Sequence, residues 1–380
     1  MKVKFLKTTI SKADLKRLVA VIESDNLVSG PLTTEFEKAT AAYFNVPCSV
    51  FMSSATAALH VSLLLAGVGE GDEVITTPLS WVASTNVILL CGAKPVYVDV
   101  EPNTGLIDAK KIEAAITEKT KVIMPVHLYG QMADMKTIMD IANRRGIKVI
   151  EDSSHAFETE RDGIRPGQVS FAACFSFHAT KNIAAGQGGL MITRHPEQEA
   201  HARALINQGV HRDENGHRRM SIFGYKYTAT DMQAALLVGQ LERVEKTHKK
   251  RLGLHKRYEK LVKAINHPDV RVLKRLKNSK HSAHIFSVLV PPAQRLNIMK
   301  YMGEHGIAVA VHYDPIHLEP FYRDTYGFQT GMYPSTEHIG AATISLPLYA
   351  RLTREEQDYV VKTLADAAAK FLPKANHVAA

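Results

Sequence analysis

Lys181 stands in an unusual place for a lysine. It closes the run Ala173-Cys174-Phe175-Ser176-Phe177-His178-Ala179-Thr180, and the turn Gly186-Gln187-Gly188-Gly189 follows shortly after. Upstream, the strand-like run Lys148-Val149-Ile150 leads directly into Glu151-Asp152. An amine, an acid delivered by a strand and a cradle of small residues are the parts needed to hold pyridoxal 5'-phosphate (PLP) as a Schiff base.

That chemistry makes three demands. The aldehyde requires an amine that can lose its charge, and Lys181 is the candidate; the ordinary role of a single lysine is a solvated surface charge. The pyridine nitrogen requires a carboxylate to keep it protonated. Asp152 is placed for this, although an acid at a strand end can equally cap a helix. The phosphate requires backbone N–H groups at a helix start, with hydroxyls nearby. Ser54-Ala55-Thr56-Ala57-Ala58-Leu59 supplies small residues where a strand turns into a helix, and Ser176 supplies a further hydroxyl. Trp81, the only tryptophan, is a candidate to stack on the ring, with core packing as its alternative. His155 follows Asp152 closely and can reach the ring hydroxyl from the same side of a turn; without its neighbours it reads as a histidine with no ligand.

These residues need a scaffold, and the apolar periodicity describes one. Helical spacing covers Ser11 to Ser24, with Leu15, Leu18, Val19 and Ile22 as its stripe, and then Leu32 to Phe44, Thr56 to Ala66, Val82 to Leu90 and Met135 to Arg145. Between them lie short buried-strand patterns at Cys48 to Met52, Glu73 to Thr76, Lys94 to Val100, Lys121 to Pro125, Lys148 to Ile150, Ala172 to Phe177 and Gly189 to Ile192. Such alternation predicts βαβ units and a mostly parallel sheet covered on both faces. Ligands of such folds sit beyond the carboxyl ends of the strands, where Ser54, Trp81, His127, Asp152 and Ser176 all fall. A long helical stretch, Ala229 to Ile265, joins this part to a second pattern with strands at Phe286 to Val290 and Ala308 to Val311 and helices at Arg295 to His305 and Thr353 to Phe371. The expected division is a large α/β domain over 1–250 and a small α+β domain over 251–380.

Bulk properties exclude several classes. The chain has 380 residues, 45% of them hydrophobic and 22% charged, and its longest apolar runs are far short of a membrane span. No signal-peptide pattern opens it, so a cytoplasmic protein is expected. Cys48, Cys91 and Cys174 have no metal-like spacing and read as reduced thiols. Eighteen histidines include no HxxxH or HxH pair, so no metal site is expected. The net charge of +9 is dispersed, and no helix-turn-helix with a basic face is evident. A basic surface instead suits an anionic small substrate.

Taken in order, the motifs resemble the DegT/DnrJ/EryC1/StrS family of PLP-dependent sugar aminotransferases over nearly the whole chain. They run from Asn26-Leu27-Val28-Ser29-Gly30-Pro31 through Ser54-Ala55-Thr56-Ala57-Ala58-Leu59, Pro125-Val126-His127-Leu128-Tyr129-Gly130-Gln131 and Glu151-Asp152-Ser153-Ser154-His155-Ala156 to Leu346-Pro347-Leu348-Tyr349. Phe175-Ser176-Phe177-His178-Ala179-Thr180-Lys181-Asn182 is the most specific of them. The resemblance implies the fold-type I, aspartate aminotransferase-like architecture. It makes Lys181 the cofactor lysine and Asp152 the partner of the pyridinium. It places Ala55, Thr56 and Ser176 on the phosphate, Trp81 over the ring and His155 near its hydroxyl.

It further implies a homodimer with shared sites, in which the Gly224 to Thr228 segment crosses to the partner's cofactor, with Lys226, Thr228 or neither of them on its phosphate. Ser29 and the loop holding His312, Tyr313 and His317 are implied to meet substrate, the loop from across the dimer. Four positions depart: Ala55 replaces a common glycine, Gln187 an acid, and Lys226 and Thr228 a usual Asn and Arg. The Gly224-Tyr225-Lys226-Tyr227 version is similar to members acting on 4-keto sugars, the 4-amino-4-deoxy-arabinose aminotransferase type among them. The expected reaction moves an amino group from L-glutamate to a nucleotide-linked keto sugar, for amino-sugar or lipopolysaccharide synthesis. Alternatives are a non-catalytic PLP-binding regulator and an aminotransferase for a non-sugar ketone. Sugar dehydration, known in relatives with histidine in place of Lys181, is disfavoured.

Overall fold

A computed structural model describes residues 1–373. Seven strands form the central sheet: β1 (Cys48–Met52), β2 (Glu73–Thr76), β3 (Lys94–Tyr97), β4 (Thr120–Ile123), β5 (Lys148–Asp152), β6 (Ala172–Ser176) and β7 (Gly189–Thr193). Their order across the sheet is β1-β7-β6-β5-β4-β2-β3. All run parallel except β7, which is antiparallel to both β1 and β6. An antiparallel neighbour can be reached by a direct return, without the crossover helix that a parallel neighbour demands. The chain therefore turns back from β6 to β7 through residues 177–188 at the carboxyl edge of the sheet. That return is the segment carrying Lys181. β1, being parallel to β5 and β6, ends at the same edge and delivers Ser54 there.

Helices cover both faces, which is why β1 and β7 are buried at every position. Helix α1 (Lys12–Glu23) precedes α2 (Pro31–Phe44), α3 (Ala55–Leu65), α4 (Ala83–Leu90) and α5 (Met135–Arg145). One face buries Val50, Ala58, Leu59 and Leu63 against Cys174 and Met191. The other packs Phe36, Phe44, Phe51, Phe157, Phe175 and Phe177 together. Strand alternation sends Glu151 and Asp152 to opposite faces: Glu151 is fully buried and accepts from His127, Gly167 and Ser170.

Three expectations need correction. The stretch Ala229 to Ile265 is not one helix but α6 (Asp231–Glu242) and α7 (Val244–Ala264), divided at Arg243 with φ −109° and ψ 12°. Arg243 grips the fully buried Asp14 of α1 with its guanidinium, and it also donates to the Thr9 carbonyl. The supposed core stripe of α1 faces outward: Leu15, Val19 and Ile22 are about half exposed (50%, 49% and 53%), while Asp14 and Val21 are the buried residues. Ala308 to Val311 makes only an isolated bridge, Ala310 to Ser345, instead of a strand.

The C-terminal part forms a three-stranded antiparallel sheet of β8 (Arg271–Val272), β9 (Phe286–Leu289) and β10 (Thr343–Leu346), with β9 central. It packs with α7, α8 (Pro292–Glu304) and α9 (Arg354–Phe371) around Tyr258, Phe286, Ile344 and Leu364. Val3, from the chain start, is buried in this core and bridges to Ile307. No helix among the described residues is long and apolar enough to cross a membrane.

Candidate active site

The carboxyl ends of β1, β5 and β6 open into one cavity of about 420 Å³, in the range typical of ligand sites. Lys181 lines it from the β6–β7 return. That return is a closed turn: Lys181 N–H donates to His178 O at 2.9 Å, Ala179 N–H to Gly186 O at 3.1 Å and Phe177 N–H to Gly188 O at 2.9 Å. Phe177 anchors it beneath, edge-on to Phe36. Burial of the amine lowers the Lys181 pKa from 10.5 to about 8, against the attraction of Asp152. An amine in that range is available uncharged near neutral pH.

Asp152 closes β5. Its Oδ2 accepts from the Ser84 hydroxyl at 2.7 Å and its Oδ1 from Ser154 N–H at 3.1 Å. Both oxygens are thus engaged by donors, and the ordinary helix-cap role does not apply. Ser84 was missed by sequence reasoning; the available signal was a hydroxyl in the first turn of the helix that follows Trp81.

Ser54 caps α3, its side chain accepting from Ala57 N–H at 3.1 Å. Ala55 and Thr56 line the cavity, and their backbone N–H groups have no acceptor among the described residues. Free donors at a helix start suit a phosphate, and Ser176 also lines the cavity. Gly189 sets this helix start against the sheet, because a Cβ there would collide with the backbone of Ser54 and Ala55. Gly189→Ala is expected to weaken cofactor binding more than tenfold, with a stability loss of about 1–3 kcal/mol from overpacking. Titration of the apo variant with PLP, alongside its thermal midpoint, checks this.

Trp81 lines the cavity and is 60% exposed, so it is not core packing; its ring lies 6.0 Å from that of Tyr313. His155 is buried, with Nε2 3.0 Å from the Tyr313 hydroxyl, and burial holds its pKa well below 6.5. His312 lines the same cavity, its Nδ1 2.9 Å from Ser345 Oγ, and burial lowers it to about 4. Both imidazoles are neutral at physiological pH.

Other expected residues are not gathered here. His317 is fully buried outside the cavity, its Nε2 3.0 Å from Glu337. Ser29 is exposed and donates to the Ala229 carbonyl. Lys226 is exposed in a bridge with Asn207. His127 turns inward. Its Nδ1 accepts from Ala133 N–H at 3.2 Å, so its Nε2 carries the proton given to Glu151 at 2.6 Å.

An amine whose pKa is lowered by burial, a held carboxylate, free helix-start donors and hydroxyls around one cavity fit PLP. The chain agrees with known proteins to the same effect. The model of the DegT/DnrJ/EryC1/StrS aminotransferase family matches residues 8–365. The spore coat polysaccharide biosynthesis protein SpsC of Bacillus subtilis is 33% identical, over 94% of this chain and 95% of its own. The putative sugar aminotransferase Spr1654 of Streptococcus pneumoniae, in its PMP form, superposes with a TM-score of 0.93 at 30% identity, covering 98% of this chain and all of that one. PseC of Helicobacter pylori, an aminotransferase of pseudoaminic acid biosynthesis, gives 0.92 at 26% identity, with 98% and 100% covered. With a fold-type I sheet shared with PLP-dependent sugar aminotransferases, the chain belongs to the DegT/DnrJ/EryC1/StrS aminotransferase family.

Proposed function

We propose that this enzyme carries an amino group from L-glutamate to a nucleotide-linked keto sugar, with a 4-keto sugar as first candidate, in the cytoplasmic synthesis of amino sugars for a cell-surface polysaccharide. The observation that carries the reading is the meeting of Lys181, Asp152 and the α3 start in one cavity. In this reading Lys181 holds the cofactor covalently and afterwards moves the proton between donor carbon and cofactor. Asp152 keeps the pyridine nitrogen charged. Ala55, Thr56 and Ser176 hold the phosphate, Trp81 covers the ring and His155 lies beside it. When bound, PLP supplies the electron sink that lets an amino acid lose its α-proton. His312 and Tyr313 orient the sugar from the cavity wall.

An anionic nucleotide suits the exposed hairpin of residues 210–220, which presents Arg212, Arg218 and Arg219. A homodimer with shared sites is supported by the outward apolar stripe of α1 and by the position of Ser29 and Lys226 outside their own chain's cavity. The large cofactor unit is proposed as 1–250 and the smaller as 251–380, with Val3 clasped by the smaller core.

The test uses the two half-reactions separately. The protein is converted with L-glutamate, freed of it, and offered a panel of nucleotide-linked keto sugars. The expected result is recovery of the original visible absorbance with one 4-keto member, and parallel initial-rate lines with both substrates. Intersecting lines, or recovery only with a ketone lacking a nucleotide, would overturn the reading.

A further inference from the structure

Asn182 directly follows Lys181, and neither polar atom of its side chain is idle. It is buried, and its Nδ2 donates to Glu158 Oε2 and to the Ser282 carbonyl, both at 2.9 Å. A carbonyl only accepts, so the amide orientation follows from chemistry. Its Oδ1 must then face His284, whose Nδ1 at 3.3 Å carries the proton. His284 in turn packs on His155, ring centroids 4.5 Å apart, and Ser282 Oγ donates to the His155 carbonyl at 2.6 Å. Three segments distant in sequence therefore meet at one side chain: the β5–β6 connection, the Lys181 turn and the approach to β9.

We propose that Asn182, with His284 and Glu158, is a positioning unit that holds the Lys181 turn and the His155 ring in register with each other and with the cofactor cavity. The surroundings suit neutral, directional hydrogen bonds. Burial raises the Glu158 pKa, against His248, Asn182 and Arg251, and it lowers those of His155 and His284, with Lys181 close to both acting in the same direction. Arg251 does not hydrogen-bond Glu158; its donors go to the Ala283 and His284 carbonyls at 3.1 and 2.8 Å. None of these three residues touches the cavity of about 420 Å³, so they act through Lys181 and His155.

The inference rests on Lys181 being the cofactor lysine. A Lys181→Ala control that kept the wild-type visible absorbance would remove that foundation, separately from the network. The experiment uses PLP-loaded Asn182→Ala and His284→Phe, and it reads the pH midpoint of the bound cofactor's visible absorbance, the kinetics with L-glutamate and the thermal midpoint. The expected results are a midpoint shift of about half a unit or more and a kcat lower by about tenfold to hundredfold, with KM within about threefold. Should Asn182→Ala fail to fold, His284→Phe decides alone, since it keeps an aromatic ring against His155 while removing the ring nitrogens and with them the Nδ1 contact to Asn182. Loss of thermal stability with an unchanged pH midpoint and kcat would show a merely structural role and overturn the proposal.

Discussion

Replacing Lys181 with alanine is expected to take turnover to background, a loss of about four orders of magnitude in kcat or more, in a protein that still folds. The side chain makes no ion pair among the described residues, and Asp152 keeps its bonds from Ser84 and Ser154 without it. The folding cost of the change is therefore small. The chemical cost is large because no other amine lines the cavity: Lys181 is its single lysine. Borohydride should fix the cofactor to the wild-type chain at Lys181 and leave the variant unlabelled, as read by peptide mass. A variant turning over within tenfold of wild type would sink the assignment.

The same residue sets a pH dependence whose sign follows from burial. Its pKa is lowered to about 8, so the amine is mostly protonated below that value and free above it. Capture of added PLP by apo protein should quicken as pH rises toward about 8 and level off beyond, measured by stopped-flow absorbance. The stability sign agrees. Between about pH 8 and the ordinary lysine value of 10.5, the unfolded chain binds more protons at this group than the folded chain. The group's contribution to stability therefore rises with pH across that window.

Asp152→Asn carries the second largest effect. The change preserves shape, and the Ser84 hydroxyl can rotate from donor to acceptor, so the fold and the phosphate cradle should survive. What disappears is the negative charge proposed to pair with the ring nitrogen. A preorganised electrostatic contact of this kind is worth about 10²–10³ in kcat, and that loss is expected in both half-reactions while PLP still binds. Single-turnover rates with glutamate, and with the keto sugar run separately, check it. A kcat within about threefold of wild type would show that Asp152 is not the nitrogen's partner.

Much of this site was legible before the fold was known. The βαβ alternation placed Asp152, Ser176 and Ser54 at strand ends, and strand ends of a parallel sheet share one edge. Cys48–Met52 and Met135–Arg145 lie where their apolar patterns put them. Local pattern misled where a tertiary partner took over. Leu15, Val19 and Ile22 have the spacing of a core stripe, yet α1 turns its buried Asp14 inward because Arg243 awaits it. The same grip coincides with the break between α6 and α7, which no Gly or Pro announces. His127 stands at a strand end like the cofactor candidates, yet it turns inward and pairs with the buried Glu151.

The chain's residue types and spacing pointed, by themselves, to an amine, an acid and a phosphate cradle at one sheet edge; that the chemistry is amino transfer came from the resemblance of its motifs to a family, which the family model bears out. Only the tertiary structure decided which neighbours hold those groups in place. Ser84 on Asp152, Gly189 under the α3 start, Tyr313 on His155 and Asn182 joined to Glu158, Ser282 and His284 all link residues far apart along the chain. Periodicity reports which face of an element is apolar, whereas a hydrogen bond between distant segments exists only after the sheet order and the antiparallel return to β7 bring them together.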